Sequence, residues 1–195
     1  MSKAQDNIRE DLQKELFGLK GEHRRDQSHD ASYKMPIELK TKHASKGCTT
    51  KRRYRKDPFA DKVLVVSNYK DRKTLSDDHW IIFPPALREW REEQERKLNF
   101  DNGTLACYND IEVIRSFLSD DAACEEILKK FENQIHRNDP AIPKSFFDTN
   151  GEYTSINKKR VKVKYSEYMF KVPENVDEAE FLREKINWYL SNKEK

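Results

Sequence analysis

Bulky apolar residues are distributed very unevenly along this chain, and their distribution limits where a core can form. Leu, Ile, Val and Phe number eight in residues 1–60 and 34 in residues 61–195. These eight residues are about 13% of residues 1–60, below the roughly 20% under which charged segments tend to stay disordered. Only the second segment carries enough apolar side chains for a sizeable core. The sequence therefore predicts a boundary near Asp61, with a polar arm before it and a compact domain at residues 61–195.

Charge divides at the same position. Residues 1–60 hold 15 Lys or Arg and nine Asp or Glu, a balance of +6, whereas the rest of the chain holds 23 and 26, a balance of −3. No run approaches the roughly 18 to 20 apolar residues that cross a bilayer. The three widely spaced Cys do not form the dense, even set of a disulfide framework. We therefore expect an intracellular protein, nuclear or alternatively cytoplasmic, that does not enter a membrane.

Periodicity in the compact domain predicts three strands and four helices. Strand-like runs occupy residues 62–69, 79–83 and 160–170. Helical patterns begin near Pro85, Asp110, Ser119 and Asn175. Asp101-Asn102-Gly103 predicts a turn, and residues 141–157 have the composition of a loop. Because strands and helices do not alternate regularly, the fold class is α+β, with a small antiparallel or mixed sheet covered by about four helices.

The arm begins with an amphipathic pattern. Four apolar residues recur at helical spacing: Ile8, Leu12, Leu16 and Leu19. They predict a helix within residues 1–20, followed by a basic, largely disordered linker at residues 21–60 with one short ordered stretch around Met35 to Leu39. Because a helix of this length is marginal alone in water, it docks on the domain, pairs with another chain in a coiled coil, or frays. We expect these four residues to be the protein-binding site.

The densest charge cluster lies at the end of the arm. It consists of five cations in six residues: Lys51, Arg52, Arg53, Arg55 and Lys56. Such a cluster fits the acidic grooves of nuclear-import receptors, and it fits phosphates equally well. The alternative is a solvated run of charge that keeps the linker extended.

A second basic segment alternates with apolar residues. Arg160, Lys162 and Lys164 are separated by Val161 and Val163, so a strand would carry the three cations on one face. That face could contact nucleic acid. The alternative is an exposed sheet face or an edge strand whose cations discourage aggregation.

No motif identifies a reaction. Among the five His and three Cys, only His23 and His29 stand near ligand spacing, and Cys107 and Cys124 are interpreted as small buried side chains. The five Gly form no phosphate-binding loop. The sequence therefore predicts no catalytic residue, no metal site and no cofactor.

Together these features predict a non-enzymatic interaction or scaffold subunit of a nuclear multiprotein complex, which docks through its N-terminal arm. The expected partners are other protein subunits, with no membrane and no small-molecule substrate. The alternative function is a DNA- or RNA-associated protein that binds phosphates through the basic arm and the basic strand. An enzyme with a scattered active site is a third class, because catalytic groups converge in space rather than in sequence.

Overall fold

The computed structural model describes residues 3–19, 29–50, 61–71, 73–117, 121–136 and 140–193. The described residues form five α-helices: α1 (Lys3–Leu16), α2 (Arg88–Arg115), α3 (Asp121–Gln134), α4 (Lys144–Asp148) and α5 (Glu178–Lys193). They form nine strands: β1 (Ala31–Tyr33), β2 (Met35–His43), β3 (Cys48–Thr49), β4 (Val63–Tyr69), β5 (Leu75–Ile82), β6 (Ala141–Ile142), β7 (Tyr153–Ile156), β8 (Lys159–Lys162) and β9 (Met169–Lys171). This is the predicted α+β class.

The main sheet has five strands in the order β1-β2-β4-β5-β9. β2 and β4 run parallel, and the other neighbouring pairs are antiparallel. The predicted mixed sheet is therefore present. Two small two-stranded sheets, β3-β6 and β7-β8, accompany it.

One face of the sheet, here called the α1/α5 face, is covered by the first and last helices. Phe17, which follows α1, is fully buried together with Val65 and Ile81 of the sheet. α5 contributes Leu182 and Ile186 to the same cluster. The N- and C-terminal parts of the chain thus share one layer of core.

The opposite face, here called the Trp80 face, is covered by irregular and short elements. Val66 and Trp80 pack there against Phe146 and Phe147 of α4 and against Ile142 of β6. Two aromatic edge contacts order this layer, since the Trp80 and Phe147 ring centroids lie 5.2 Å apart and the two Phe rings 5.8 Å apart. Residues 141–157, predicted as a loop, therefore carry two strands and a helix that cover the core.

Helices α2 and α3 form an antiparallel hairpin, here called the α2–α3 hairpin. Arg115 near the end of α2 pairs with Glu125 of α3 at 2.8 Å, and Asp101 pairs with His136 at 2.8 Å. The predicted turn at Asp101-Asn102-Gly103 is wrong, because α2 runs through it without interruption. Asp101 is buried and its Oδ1 accepts a hydrogen bond from the His136 amide, so this side chain joins two helices instead of starting a turn.

The predicted linker needs a correction. Residues 29–50 carry β1, β2 and β3, and β2 pairs with β4 across the predicted boundary at Asp61. The arm therefore supplies two strands of the main sheet. The parts of the predicted linker at residues 20–28 and 51–60 lie outside the described residues.

Among the residues that the structure describes, no helix has the length and apolar character needed to cross a membrane.

Candidate active site

Strand β2 and the residue before β1 bring acids and a lysine together. Side chains alternate between the two faces of a strand, so Glu38 and Lys40 leave β2 on the same side, the Trp80 face, while Ile37 and Leu39 enter the core of the α1/α5 face. Asp30 immediately precedes β1, and its amide donates to the Ile37 carbonyl at 3.1 Å. The antiparallel register therefore sets Asp30 opposite Glu38.

The distances define a compact cluster. The Lys40 ammonium lies 2.5 Å from Glu38 Oε1 and 3.7 Å from Asp30 Oδ2. Asp30 Oδ2 also accepts a hydrogen bond from the Leu39 amide at 2.8 Å. A second cation, Lys62, lies 3.5 Å from Glu38 Oε2. We call Asp30, Glu38, Lys40 and Lys62 the acid–lysine cluster.

The electrostatics keep Lys40 charged. Burial by itself lowers the pKa of Lys40, but the carboxylates of Glu38 and Asp30 outweigh burial and raise the net pKa above its ordinary value. The Asp30 and Lys40 side chains are each 26% exposed, whereas Glu38 is only 13% exposed. Lys40 is therefore a partly exposed, protonated donor at neutral pH and not a general base in this state.

The backbone of β2 is held from the other face. Gln13 of α1 is fully buried, and its Nε2 donates to the Lys40 carbonyl at 3.1 Å and to Ser67 Oγ at 2.9 Å. Ser67 in turn contacts His79 Nδ1 at 2.9 Å. This buried network joins α1, β2, β4 and β5 beneath the acid–lysine cluster.

A buried lysine and a buried thiol lie next to the cluster. Lys42, two residues beyond Lys40, lies 4.7 Å from the Phe147 ring centroid and 5.2 Å from that of Trp80. Burial lowers the pKa of Lys42 and raises the pKa of the Cys48 thiol to about 12. Cys48 is therefore a packing residue in this structure. The prediction of a buried Cys107 is wrong, because Cys107 is exposed, whereas Cys124 is buried as predicted.

Two adjacent carboxylates and a cation are suited to binding phosphate with a divalent cation. Mg²⁺ is commonly held by one or two carboxylates, with water and substrate phosphate completing its ligands. Asp30 and Glu38 supply that number of carboxylates on one sheet face, and the Lys40 and Lys62 ammonium groups that pair with them here would have to give way to a bound cation. No group of three or more His, Cys, Asp or Glu side chains stands at metal-binding distance in the described part of the chain.

Sequence reasoning missed this cluster because it assigned residues 21–60 to a linker. The signal that would have found it is alternation in β2, where Ile37 and Leu39 are apolar while Glu38 and Lys40 are charged. That period of two predicts a strand with one core face and one charged face.

The predicted protein-binding residues divide between core and surface. Leu16 and Leu19 pack against the core cluster of the α1/α5 face, whereas Ile8 is 39% exposed. Leu12 is partly buried. The predicted helix is present as α1, and it follows the first of the three alternatives, docking on its own domain.

The two predicted basic sites also differ. Lys51, Arg52, Arg53, Arg55 and Lys56 lie outside the described residues. Arg160 and Lys162 lie in β8 and are exposed, and Lys164 follows the strand with its side chain also exposed. The predicted continuous strand through residue 170 divides into β8 and β9.

The α2–α3 hairpin exposes an apolar surface that the sequence analysis did not single out. Its most exposed members are Phe117 at 84% and Val113 at 62%, at the end of α2. Further exposed apolar side chains are Phe100, Leu105, Ile114 and Ile127. Exposed apolar side chains become candidates for contact with a partner when they lie together in one patch.

No protein-family model, curated protein or solved structure matches this chain, so its function is inferred from the geometry of its own residues.

Proposed function

We propose that this chain is a divalent-cation-dependent hydrolase of phosphodiester bonds in nucleic acid. The observation that carries the proposal is the position of the Lys40 ammonium, 2.5 Å from Glu38 and 3.7 Å from Asp30. Two carboxylates beside a protonated lysine combine the ligands of a hard cation with a donor for phosphate oxygens. The DNA- or RNA-associated function predicted from the sequence is here extended to a reaction.

Each residue has a chemical role in this proposal. Asp30 and Glu38 would hold the cation, which would supply an activated water and polarise the phosphate. The water oxygen attacks phosphorus and loses a proton to solvent, while the bond from phosphorus to the leaving sugar oxygen breaks and that oxygen gains a proton. Lys40 donates to a phosphate oxygen, where negative charge increases in the transition state. The products are a phosphate monoester end and a free hydroxyl.

The experiment measures hydrolysis of plasmid DNA and of bis(p-nitrophenyl) phosphate with Mg²⁺ or Mn²⁺, and again with EDTA. We expect Asp30→Asn, Glu38→Gln and Lys40→Met each to reduce the rate by about 100-fold or more. The matched controls are Glu126→Gln and Lys130→Met, which remove an exposed pair at 2.8 Å on α3. Thermal unfolding of each variant separates loss of activity from loss of fold.

Wild-type protein that hydrolyses neither substrate with either cation would overturn the proposal. So would cluster variants that remain folded and as active as the controls. Binding of Mn²⁺, measured by electron paramagnetic resonance, gives a separate readout, which Glu38→Gln should weaken and Glu126→Gln should leave unchanged.

The interaction subunit predicted from the sequence is the second candidate function. The observation that favours it is the exposure of Phe117 and Val113 on the α2–α3 hairpin. We would then expect the hairpin, rather than α1, to contact the partner protein. Affinity purification of the full chain with and without Val113→Ser and Phe117→Ser tests this, and a partner recovered equally by both proteins would exclude the hairpin. Nuclear location likewise stays a proposal that depends on residues 51–56.

A further inference from the structure

Strands β7 and β8 form a tight, two-stranded hairpin, here called the β7–β8 hairpin. Ile156 pairs with Lys159, so only Asn157 and Lys158 form the turn. Both have positive φ, 50° and 65°, as a type I′ turn requires. The base of the hairpin is anchored, since Val163 is buried and its amide donates to the Glu152 carbonyl at 2.8 Å.

The hairpin carries a concentration of cations without acidic partners. Five cations lie in seven residues: Lys158, Lys159, Arg160, Lys162 and Lys164. Within the described residues none of the five has a carboxylate within ion-pair distance. Elsewhere exposed cations do find one, as Lys171 does with Asp78 at 2.7 Å. The Glu89 carboxylate lies near Lys164, whose amide donates to it at 3.1 Å, so the unneutralised positive charge that faces solvent is carried mainly by the other four cations.

One of these cations is held in place by an aromatic ring. The Arg160 guanidinium lies 3.9 Å from the Tyr153 ring centroid. Tyr153 is paired with Lys162, and Arg160 with Ser155, so both cations and the ring share one face of the hairpin. A guanidinium that is already stacked on a ring loses less side-chain freedom when it binds an anion than an unstacked guanidinium does.

The hairpin and the acid–lysine cluster lie on the same side of the main sheet. Gly151, just before β7, packs closely against Met169 of β9, and Val163 belongs to the core of the Trp80 face. β9 is three strand positions from β2, which corresponds to about 14 Å in the plane of the sheet.

We infer that the β7–β8 hairpin binds the phosphate backbone of nucleic acid, as a contact separate from the acid–lysine cluster. The ligand class follows from unpaired, regularly spaced cations on a two-stranded ribbon, a shape that the major groove admits. The assignment of this nucleic acid as substrate rests on the proposed function. The binding of nucleic acid by the hairpin does not depend on the proposed function.

The test is binding of fluorescent DNA and RNA duplexes of about 30 base pairs, roughly three helical turns, measured by anisotropy in EDTA over a range of salt concentrations. Arg160→Gln with Lys162→Gln should weaken binding to at least one duplex. The slope of log affinity against log salt should fall in magnitude by about two, one for each cation removed. The matched control is Lys129→Gln with Lys130→Gln on α3, which removes the same charge from exposed positions.

Equal affinity of the hairpin variant and its control for the duplexes would overturn the inference. Hairpin-dependent binding of polyglutamate as strong as that of the duplexes would also overturn it, since the partner would then be an acidic protein. The proposed function fails separately. Hairpin-dependent binding of duplex by the wild-type protein in EDTA, without any hydrolysis when Mg²⁺ or Mn²⁺ is added, would contradict the hydrolase alone. Normal hydrolysis of bis(p-nitrophenyl) phosphate without hairpin-dependent binding would contradict the hairpin alone.

Discussion

Gln13 donates a hydrogen bond from α1 to the backbone carbonyl of Lys40 at 3.1 Å. It also donates to Ser67 Oγ at 2.9 Å from a fully buried position. The first helix thus holds the strand that carries the acid–lysine cluster, from the face opposite the cluster.

Gln13→Leu should therefore destabilise the protein. The change removes the donor to Lys40 and Ser67 and leaves buried acceptors behind, so the free energy of unfolding should fall by about 1–3 kcal/mol. Urea unfolding measures this effect. Glu15→Leu, an exposed change of similar size on the same helix, should stay within about 0.5 kcal/mol of wild type. Equal values for the two variants would contradict the role of Gln13.

The contrast between Leu16 and Ile8 tests whether α1 is structural. Leu16 is half-buried against the core of the α1/α5 face, so Leu16→Asp removes an apolar contact, partly desolvates a carboxylate and should cost about 1–3 kcal/mol. Ile8 is 39% exposed, so Ile8→Asp should cost much less. Thermal unfolding of both variants checks this order. A stable Leu16→Asp protein would restore the interpretation of α1 as a free docking arm.

Elements with a continuous apolar pattern were predictable. Residues Val63 to Val66 form an uninterrupted apolar run, and the predicted strand at 62–69 agrees closely with β4 (Val63–Tyr69). The apolar face of the last helix likewise predicted α5. In both elements the residues that form the apolar pattern in the sequence are the ones that pack in the core.

The acid–lysine cluster was not predictable from composition. β2 is rich in charge because its second face carries Glu38, Lys40 and Lys42, and averaging over the arm hides the apolar alternation. Asp30 joins the cluster only through the register of β1 with β2. A site formed by strand pairing becomes visible when the pairing is known.

Substitution by alanine should change the stability of the protein in opposite directions at two glycines. A Cβ on Gly47 would lie 2.3 Å from the Ile142 carbonyl oxygen, so Gly47→Ala must displace β3 from β6 and should cost about 1–3 kcal/mol. A Cβ on Gly103 meets nothing within 4 Å. Because Gly103 lies inside α2, Gly103→Ala should stabilise the protein by up to about 1 kcal/mol. Destabilisation by Gly103→Ala would contradict a continuous α2, and urea unfolding measures both changes.

His79 should make stability depend on pH. It is buried between Ser67 Oγ and the Phe17 ring, and burial lowers its pKa despite the acids Glu178, Asp77 and Asp78. The unfolded chain therefore binds a proton near pH 6.5 that the folded chain does not yet bind. Stability due to His79 is present above pH 6.5 and falls as pH decreases below it, by at most about 1.4 kcal/mol per pH unit.

His79→Gln isolates that contribution, because it removes the titration and keeps a polar group near Ser67. Urea unfolding at pH 7.5 and 5.5 should show a smaller loss of stability for the variant than for wild type. An identical loss in both proteins would assign the acid sensitivity to carboxylates elsewhere.

The three thiols should differ strongly in reactivity, since thiolate formation and access both control alkylation. Burial raises the pKa of Cys48 to about 12, Cys124 is also buried, and Cys107 is exposed on α2. Maleimide at pH 7.5 should therefore label Cys107 rapidly in the native protein, and label Cys48 and Cys124 only after unfolding. Mass spectrometry of Cys107→Ser, which should remain unlabelled until denaturant is added, provides the control. Rapid native labelling of Cys48 would mean that β3 separates readily from β6. The packing of Cys48 next to the acid–lysine cluster would then be loose.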